Sequence, residues 1–211
     1  MSDNKLVILE QCLQFNSMKE KILKAFEESV SVKQQFIKEN LDMVIEISRL
    51  LSDTFNRGNK LILFGNGGSA TDASHIAAEF VNRFKKERPG LPAIALNTDI
   101  AVMTSIANDY DFSETFSRQM KVFAQEGDVA IAISTSGNSP NVLKAVDTAR
   151  KKKLKIIAFT GAKGDKLAAK ADYAFSVPSS NTPRIQETHI TLGHVLCQTV
   201  EEILFEAHRK R

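Results

Sequence analysis

From residue 60 to residue 205 the chain alternates between short apolar runs and longer amphipathic stretches. The runs fall at 61–64, 93–96, 129–133, 156–159 and 173–177. Leu61-Ile62-Leu63-Phe64 is apolar without interruption, as expected of a strand covered on both faces. Between the runs, apolar residues recur at helical spacing over 70–84, 113–123, 141–152 and, more briefly, 165–170. A last helix should begin near Pro183, with Thr182 as its cap, and run past Phe205; proline suits the first helical position because its missing N–H has no partner there. Strands separated by helices pair in parallel. The chain is therefore predicted to form a doubly wound, mostly parallel five-stranded α/β sheet.

Residues 6–56 read as helix. Met18, Ile22 and Phe26, then Ile37, Leu41, Val44, Leu51 and Phe55, recur at helical spacing, and Ser29-Val30-Ser31 marks an expected break between two helices. Met43, Ile47 and Leu50 add apolar surface beside that stripe, as a helix packed on both its own core and another subunit would need. The predicted division is a helical extension for oligomerisation over 1–58 and an α/β domain over 59–211. No repeat, low-complexity tract or linker interrupts this plan.

Composition narrows the partners. Apolar residues at 43% and charged residues at 25% are ordinary for a globular protein. A net charge of +3 is too small to call for nucleic acid or a membrane surface. Lys151-Lys152-Lys153 and the tail His208-Arg209-Lys210-Arg211 fall where helices should end, where cations are favoured without any ligand. Cys12 and Cys197 form neither a disulfide framework nor a paired metal motif, and both are expected in the core. Met1-Ser2-Asp3-Asn4-Lys5 lacks a leader pattern and no apolar run is long enough to span a bilayer, so a cytoplasmic location is expected.

The candidate chemistry gathers at two turns. The first is Gly65-Asn66-Gly67-Gly68-Ser69, followed by a helix that carries His75 and Glu79 on one face, one turn apart. Backbone amides at such a turn, with the positive end of the helix dipole, favour an anion. The second is Ser134-Thr135-Ser136-Gly137-Asn138-Ser139-Pro140, a run of hydroxyls at a helix start with Ser139 as N-cap, which suits a phosphate monoester. Gly65-x-Gly67-x-x-Ala70 also fits a loose dinucleotide fingerprint. The acid that fingerprint needs at the end of the second strand is missing, because Asp99 lies too far on. The last helix offers Gln186, Glu187, His189 and His194. Two helices that each supply a histidine and a second polar group fit either a metal site, with zinc as an occupant, or an acid–base pair. Asn108-Asp109 falls in a polar loop, where Asp109 either starts a turn or binds sugar hydroxyls.

Taken together, Gly65-Asn66-Gly67-Gly68-Ser69 with His75 and Glu79, Ala107-Asn108-Asp109, Ser134-Thr135-Ser136-Gly137-Asn138-Ser139, and Arg184-Ile185-Gln186-Glu187 with His194 closely resemble the phosphoheptose isomerases. These are sugar-isomerase (SIS) domain proteins, and the resemblance spans essentially the whole chain. It implies conversion of sedoheptulose 7-phosphate to D-glycero-D-manno-heptose 7-phosphate, an early step toward lipopolysaccharide core heptose. It also implies a cytosolic homotetramer with active sites at subunit contacts. By that resemblance Ser69, Ser134, Thr135, Ser136 and Ser139 hold the phosphate, Asn66, Gly67 and Gly68 line the substrate, and Asn108 and Asp109 touch the sugar. His75, Glu79, Gln186 and His194 match the zinc ligands, Gln186 also lies on the substrate side, and Glu79 and His194 carry the proton transfer. Pro183, just before Arg184, departs from the pattern, and His189 receives no role. The rival resemblance is to a non-catalytic SIS paralogue that binds the replication initiator protein; that pattern lacks the Gly-Gly pair, the glutamate and the second histidine present here. Regulatory SIS modules usually carry a DNA-binding domain, and no such stretch occurs.

Overall fold

The computed structural model describes residues 3–205, with side chains over 16–205 apart from Asp165. The expectations for Cys12 and for the tail 208–211 fall outside the described residues. The chain begins with α1 (Asp3–Asn56), followed by β1 (Leu61–Gly65), α2 (Gly68–Val81), β2 (Ala93–Ala95), α3 (Ile100–Asp109) and α4 (Thr115–Phe123). Then come β3 (Val129–Ser134), α5 (Pro140–Lys151), β4 (Lys155–Gly161), α6 (Asp165–Ala168), β5 (Tyr173–Val177) and α7 (Thr182–Phe205). The five strands form one sheet in the order β2-β1-β3-β4-β5, and every pairing is parallel.

Both faces of the sheet are covered, which explains the unbroken apolar strands. Leu61 and Leu63 point into one core with residues of α1, α2 and α7. Ile62 and Phe64 point into the other, against α4 and α5. Because side chains alternate across a strand, a run with two buried faces has no position left for a polar residue.

α1 is a single helix of 54 residues. The break expected at residues 29–31 does not occur: serine and valine lower helix propensity only slightly, and the surrounding turns carry the helix through. Its second half joins the core through Phe36, Val44, Ile47, Leu51 and Phe55. Its first half leaves Met18, Ile22, Leu23, Phe26 and Val30 exposed, with Phe26 at 71%. α7 opens at Thr182 itself, with the Ile185 amide bonding back to the Asn181 carbonyl. The cap is therefore one residue earlier than Thr182. Cys197 is buried in the core, and burial raises its thiol pKa. Among the described residues no helix is long and apolar enough to cross a membrane.

Candidate active site

The strand order makes β1 and β3 neighbours, yet the chain leaves β1 toward β2 on one side and leaves β3 toward β4 on the other. Their connecting helices thus lie on opposite faces, and the loops beyond β1 and β3 flank the crevice where open α/β sheets bind ligands. Both sequence-predicted turns sit there. A reciprocal pair of amide hydrogen bonds, each 2.9 Å, ties Asn66 of the first turn to Asn141 of α5.

The first turn opens α2 at Gly68. A Cβ on Gly68 would lie 2.2 Å from Gln186 Nε2, so the absence of a side chain leaves room for the Gln186 amide at this end of α2. In the second turn Ser139 is the N-cap of α5 with Pro140 following, but its hydroxyl makes no capping bond. It faces Ser134 Oγ at 3.2 Å instead. Ser69 and Ser134 are buried, Thr135 and Ser139 half-buried, and Ser136 exposed, so the hydroxyls grade from the sheet edge outward.

Farther along the α2–α7 contact, three side chains converge. His75 Nε2 lies 3.1 Å from Glu79 Oε1 and 3.4 Å from His194 Nε2. The donor atoms of all three residues lie within 4.8 Å of one another. Two imidazole nitrogens and a carboxylate oxygen are donors that zinc takes, and tetrahedral bonds of about 2.0–2.1 Å would separate two such nitrogens by roughly 3.3 Å. The group fits a zinc ion. Gln186 lies eight residues before His194, about 12 Å along the helix, with its amide at Gly68.

Packing holds this group. The Phe84 ring stacks on His194 with centroids 5.6 Å apart. Phe84 follows α2 in a segment clamped by Glu201, which accepts from the amides of Phe84, Lys85 and Lys86 at 3.0–3.2 Å and from Arg88 Nε at 2.8 Å. Burial pushes the Glu201 carboxyl up, but the Phe84 and Lys85 amides and the Arg88 guanidinium outweigh it and hold the pKa below its usual range. Asp72 shares the α2 face with His75 and Glu79. Burial pushes its carboxyl up to about 6, with His75 pulling it back, and Asp72 Oδ2 is buried without a partner.

Asn108 and Asp109 close α3 rather than occupying a loop, and Asn108 Nδ2 donates to Asp109 Oδ1 at 2.9 Å. Asp99 is simply the cap of α3, accepting from the Val102 amide at 3.0 Å. Sequence reasoning missed Asn141, Phe84, Arg88 and Glu201. Asn141 had a local signal in its place just after Ser139-Pro140. Arg88 and Glu201 stand in charged stretches, Lys85-Lys86-Glu87-Arg88 and Glu201-Glu202, which read as solvated until the two elements meet.

His189, which had no role by resemblance, is fully buried; its Nε2 lies 3.2 Å from the Thr160 carbonyl. Burial pushes its pKa down to about 4, against an ordinary value of about 6.5. Neutral in the folded chain, it contributes stability above pH 6.5 that is lost as pH falls toward 4, because only the unfolded chain then takes up the proton. Between pH 7 and pH 5 the loss from this residue is about 2 kcal/mol. Denaturant melts of wild type and His189→Leu should show it as a difference in slope against pH. Identical pH dependence in the two proteins would refute a buried neutral imidazole.

A family model described as the SIS domain matches residues 25–161. The chain is 64% identical over 189 residues to a phosphoheptose isomerase of Thermodesulfovibrio yellowstonii, covering 90% of this chain and 94% of that one. It is 51% identical over 189 residues to a phosphoheptose isomerase of Aquifex aeolicus, covering 90% and 99%. The solved structure of a phosphoheptose isomerase from Neisseria gonorrhoeae superposes with a TM-score of 0.83 at 38% identity, covering 88% of this chain and 99% of that one.

Proposed function

Because the chain belongs to the SIS-domain family, and within it to the phosphoheptose isomerases, it is a sugar-phosphate isomerase, and we propose that its substrate is sedoheptulose 7-phosphate. The observation that carries this reading is the meeting of His75, Glu79 and His194 across α2 and α7, beside a crevice lined by two hydroxyl- and amide-rich turns. The product is the aldose D-glycero-D-manno-heptose 7-phosphate, which would serve lipopolysaccharide core heptose. Retention of Glu79 and His194 in one cluster favours catalysis over the initiator-binding reading.

Ketose-to-aldose isomerisation moves one proton from C1 to C2 and one from O1 to O2. C1 is oxidised to the aldehyde as the C2 ketone is reduced, so no outside oxidant is needed. Glu79 takes the C1 proton, leaving a cis-enediol, and returns a proton to C2. His194 serves the oxygens, donating at O2 and accepting from O1. Zinc, held by His75, Glu79 and His194 with Gln186 as the fourth ligand that the resemblance implies, would supply Lewis-acid polarisation of the carbonyl oxygen. Ser69, Ser134, Thr135, Ser136 and Ser139 hold the phosphate, where the amides and dipole at the start of α5 favour an anion. Asn66, Gly67, Gly68 and Gln186 line the chain of the sugar, and Asn108 and Asp109 meet its hydroxyls. The exposed apolar face along the first half of α1 is of the kind that pairs with other copies, and a homotetramer is proposed.

The test is turnover of sedoheptulose 7-phosphate followed by NMR, with added zinc and with a chelator, on protein whose mass is measured by light scattering. Aldose formation that falls on chelation and recovers with zinc, from a particle of four chains, is expected. A folded protein with no turnover under any metal condition would overturn the substrate assignment.

A further inference from the structure

The proposed phosphate cradle contains hydroxyls and amides but no cation, whereas a phosphate monoester carries about −1.5 to −2 charges near neutral pH. The fold brings one to its edge. Gly137, in the second turn, has φ +64°, and a Cβ there would lie 2.3 Å from Gly164 Cα. Two loops distant in sequence therefore touch backbone to backbone. The Gly161 amide donates to the Thr135 carbonyl at 3.1 Å, and the Ala162 amide donates to the Ser179 carbonyl at 3.2 Å. Residues 161–164 are thus pinned between the Ser/Thr turn and the segment before α7, with Lys163 at their tip.

Lys163 lines a cavity of about 210 Å³ together with Thr135, Ser136, Asn138, Ser179 and Ser180. Lys60, Lys144, Lys153, Lys155 and Lys170 each pair with a carboxylate. Among the described residues Lys163, like Lys121, Lys151, Lys152 and Lys166, has no such partner, and of these it is the one that lines the cavity at the Ser/Thr turn. A cation without a counter-ion that lines one cavity with hydroxyl donors suits an anion from outside the chain.

We propose that Lys163 is the cation of the phosphate subsite, pairing with the phosphate from the side of Thr135, Ser136 and Asn138. This rests on the phosphate-cradle reading above. The experiment compares wild type with Lys163→Ala, Lys163→Arg and Ser134→Ala, reading KM and kcat for sedoheptulose 7-phosphate and competitive inhibition by inorganic phosphate. In Lys163→Ala, KM and the inhibition constant for inorganic phosphate should both rise about tenfold, the scale of one charge-assisted contact. Lys163→Arg should restore most of the loss, and high salt should narrow the gap between wild type and Lys163→Ala. If Ser134→Ala weakens phosphate inhibition and Lys163→Ala does not, the cradle stands and the role of Lys163 falls. If neither variant alters phosphate inhibition, the cradle reading falls with it. A Lys163→Ala defect confined to kcat, with phosphate inhibition intact, would also overturn the proposal.

Discussion

Glu79→Gln is expected to lower kcat by about 10²- to 10⁴-fold, the usual contribution of a positioned general base. The substitution keeps the size of the side chain and an oxygen that can still face His75, 3.1 Å away in the native protein. What it removes is the group able to take a proton from carbon. Because Glu79 is also a proposed zinc ligand, metal content and proton transfer must be read separately. Zinc per subunit is measured by atomic emission, and exchange of the substrate C1 hydrogen with deuterated solvent is followed by NMR. A base role predicts that exchange disappears even in zinc-replete Glu79→Gln. Wild-type exchange in a zinc-loaded variant would remove Glu79 from the chemistry and leave it as a ligand.

Arg88→Met should destabilise the fold by about 3–5 kcal/mol, the cost of breaking a buried ion pair by removing one partner. The Arg88 and Glu201 side chains are only 1% and 2% exposed. Arg88 also donates to the carbonyls of Phe80, Pro89 and Glu79 at 2.8–3.0 Å. Methionine fills much of the volume but leaves these oxygens without their donor and Glu201 with an uncompensated charge. In a chain of this length the melting temperature should fall by roughly 6–20 °C. Activity should fall as well, because the same clamp holds Phe84 on His194 and the carbonyl of Glu79 in place. A double replacement by apolar residues, Arg88→Met with Glu201→Leu, should recover part of the stability. A single variant as stable as wild type would show that water enters and the pair is not truly buried.

Much of this architecture is legible in the order of residues because it follows from short-range rules. The runs at 61–64 and 129–133 announce strands buried on both faces, and the residues that follow announce polar turns at the strand ends. His75 and Glu79 share a face by helical geometry alone. Helix boundaries follow less from local pattern: α3 takes in Asn108 and Asp109, and α1 runs through residues 29–31. In both places hydrogen bonds already formed in the preceding turn extend a helix past residues with weak preference for it.

Residue order fixes the alternation of strands and helices, the two polar turns and the chemical character of each side chain in them. Which side chains meet depends on how the elements pack. His75 and His194 are 119 residues apart, yet their ring nitrogens come within 3.4 Å because α2 and α7 pack on the same face of the sheet. Asn66 finds Asn141 through the adjacency of β1 and β3. Arg88 finds Glu201 side chain to side chain, and the loop that carries Lys163 meets the Ser/Thr turn backbone to backbone at Gly137 and Gly164, contacts that no local pattern encodes. Periodicity reports which side of an element is apolar; it carries no record of which polar side chains a distant element will bring against it.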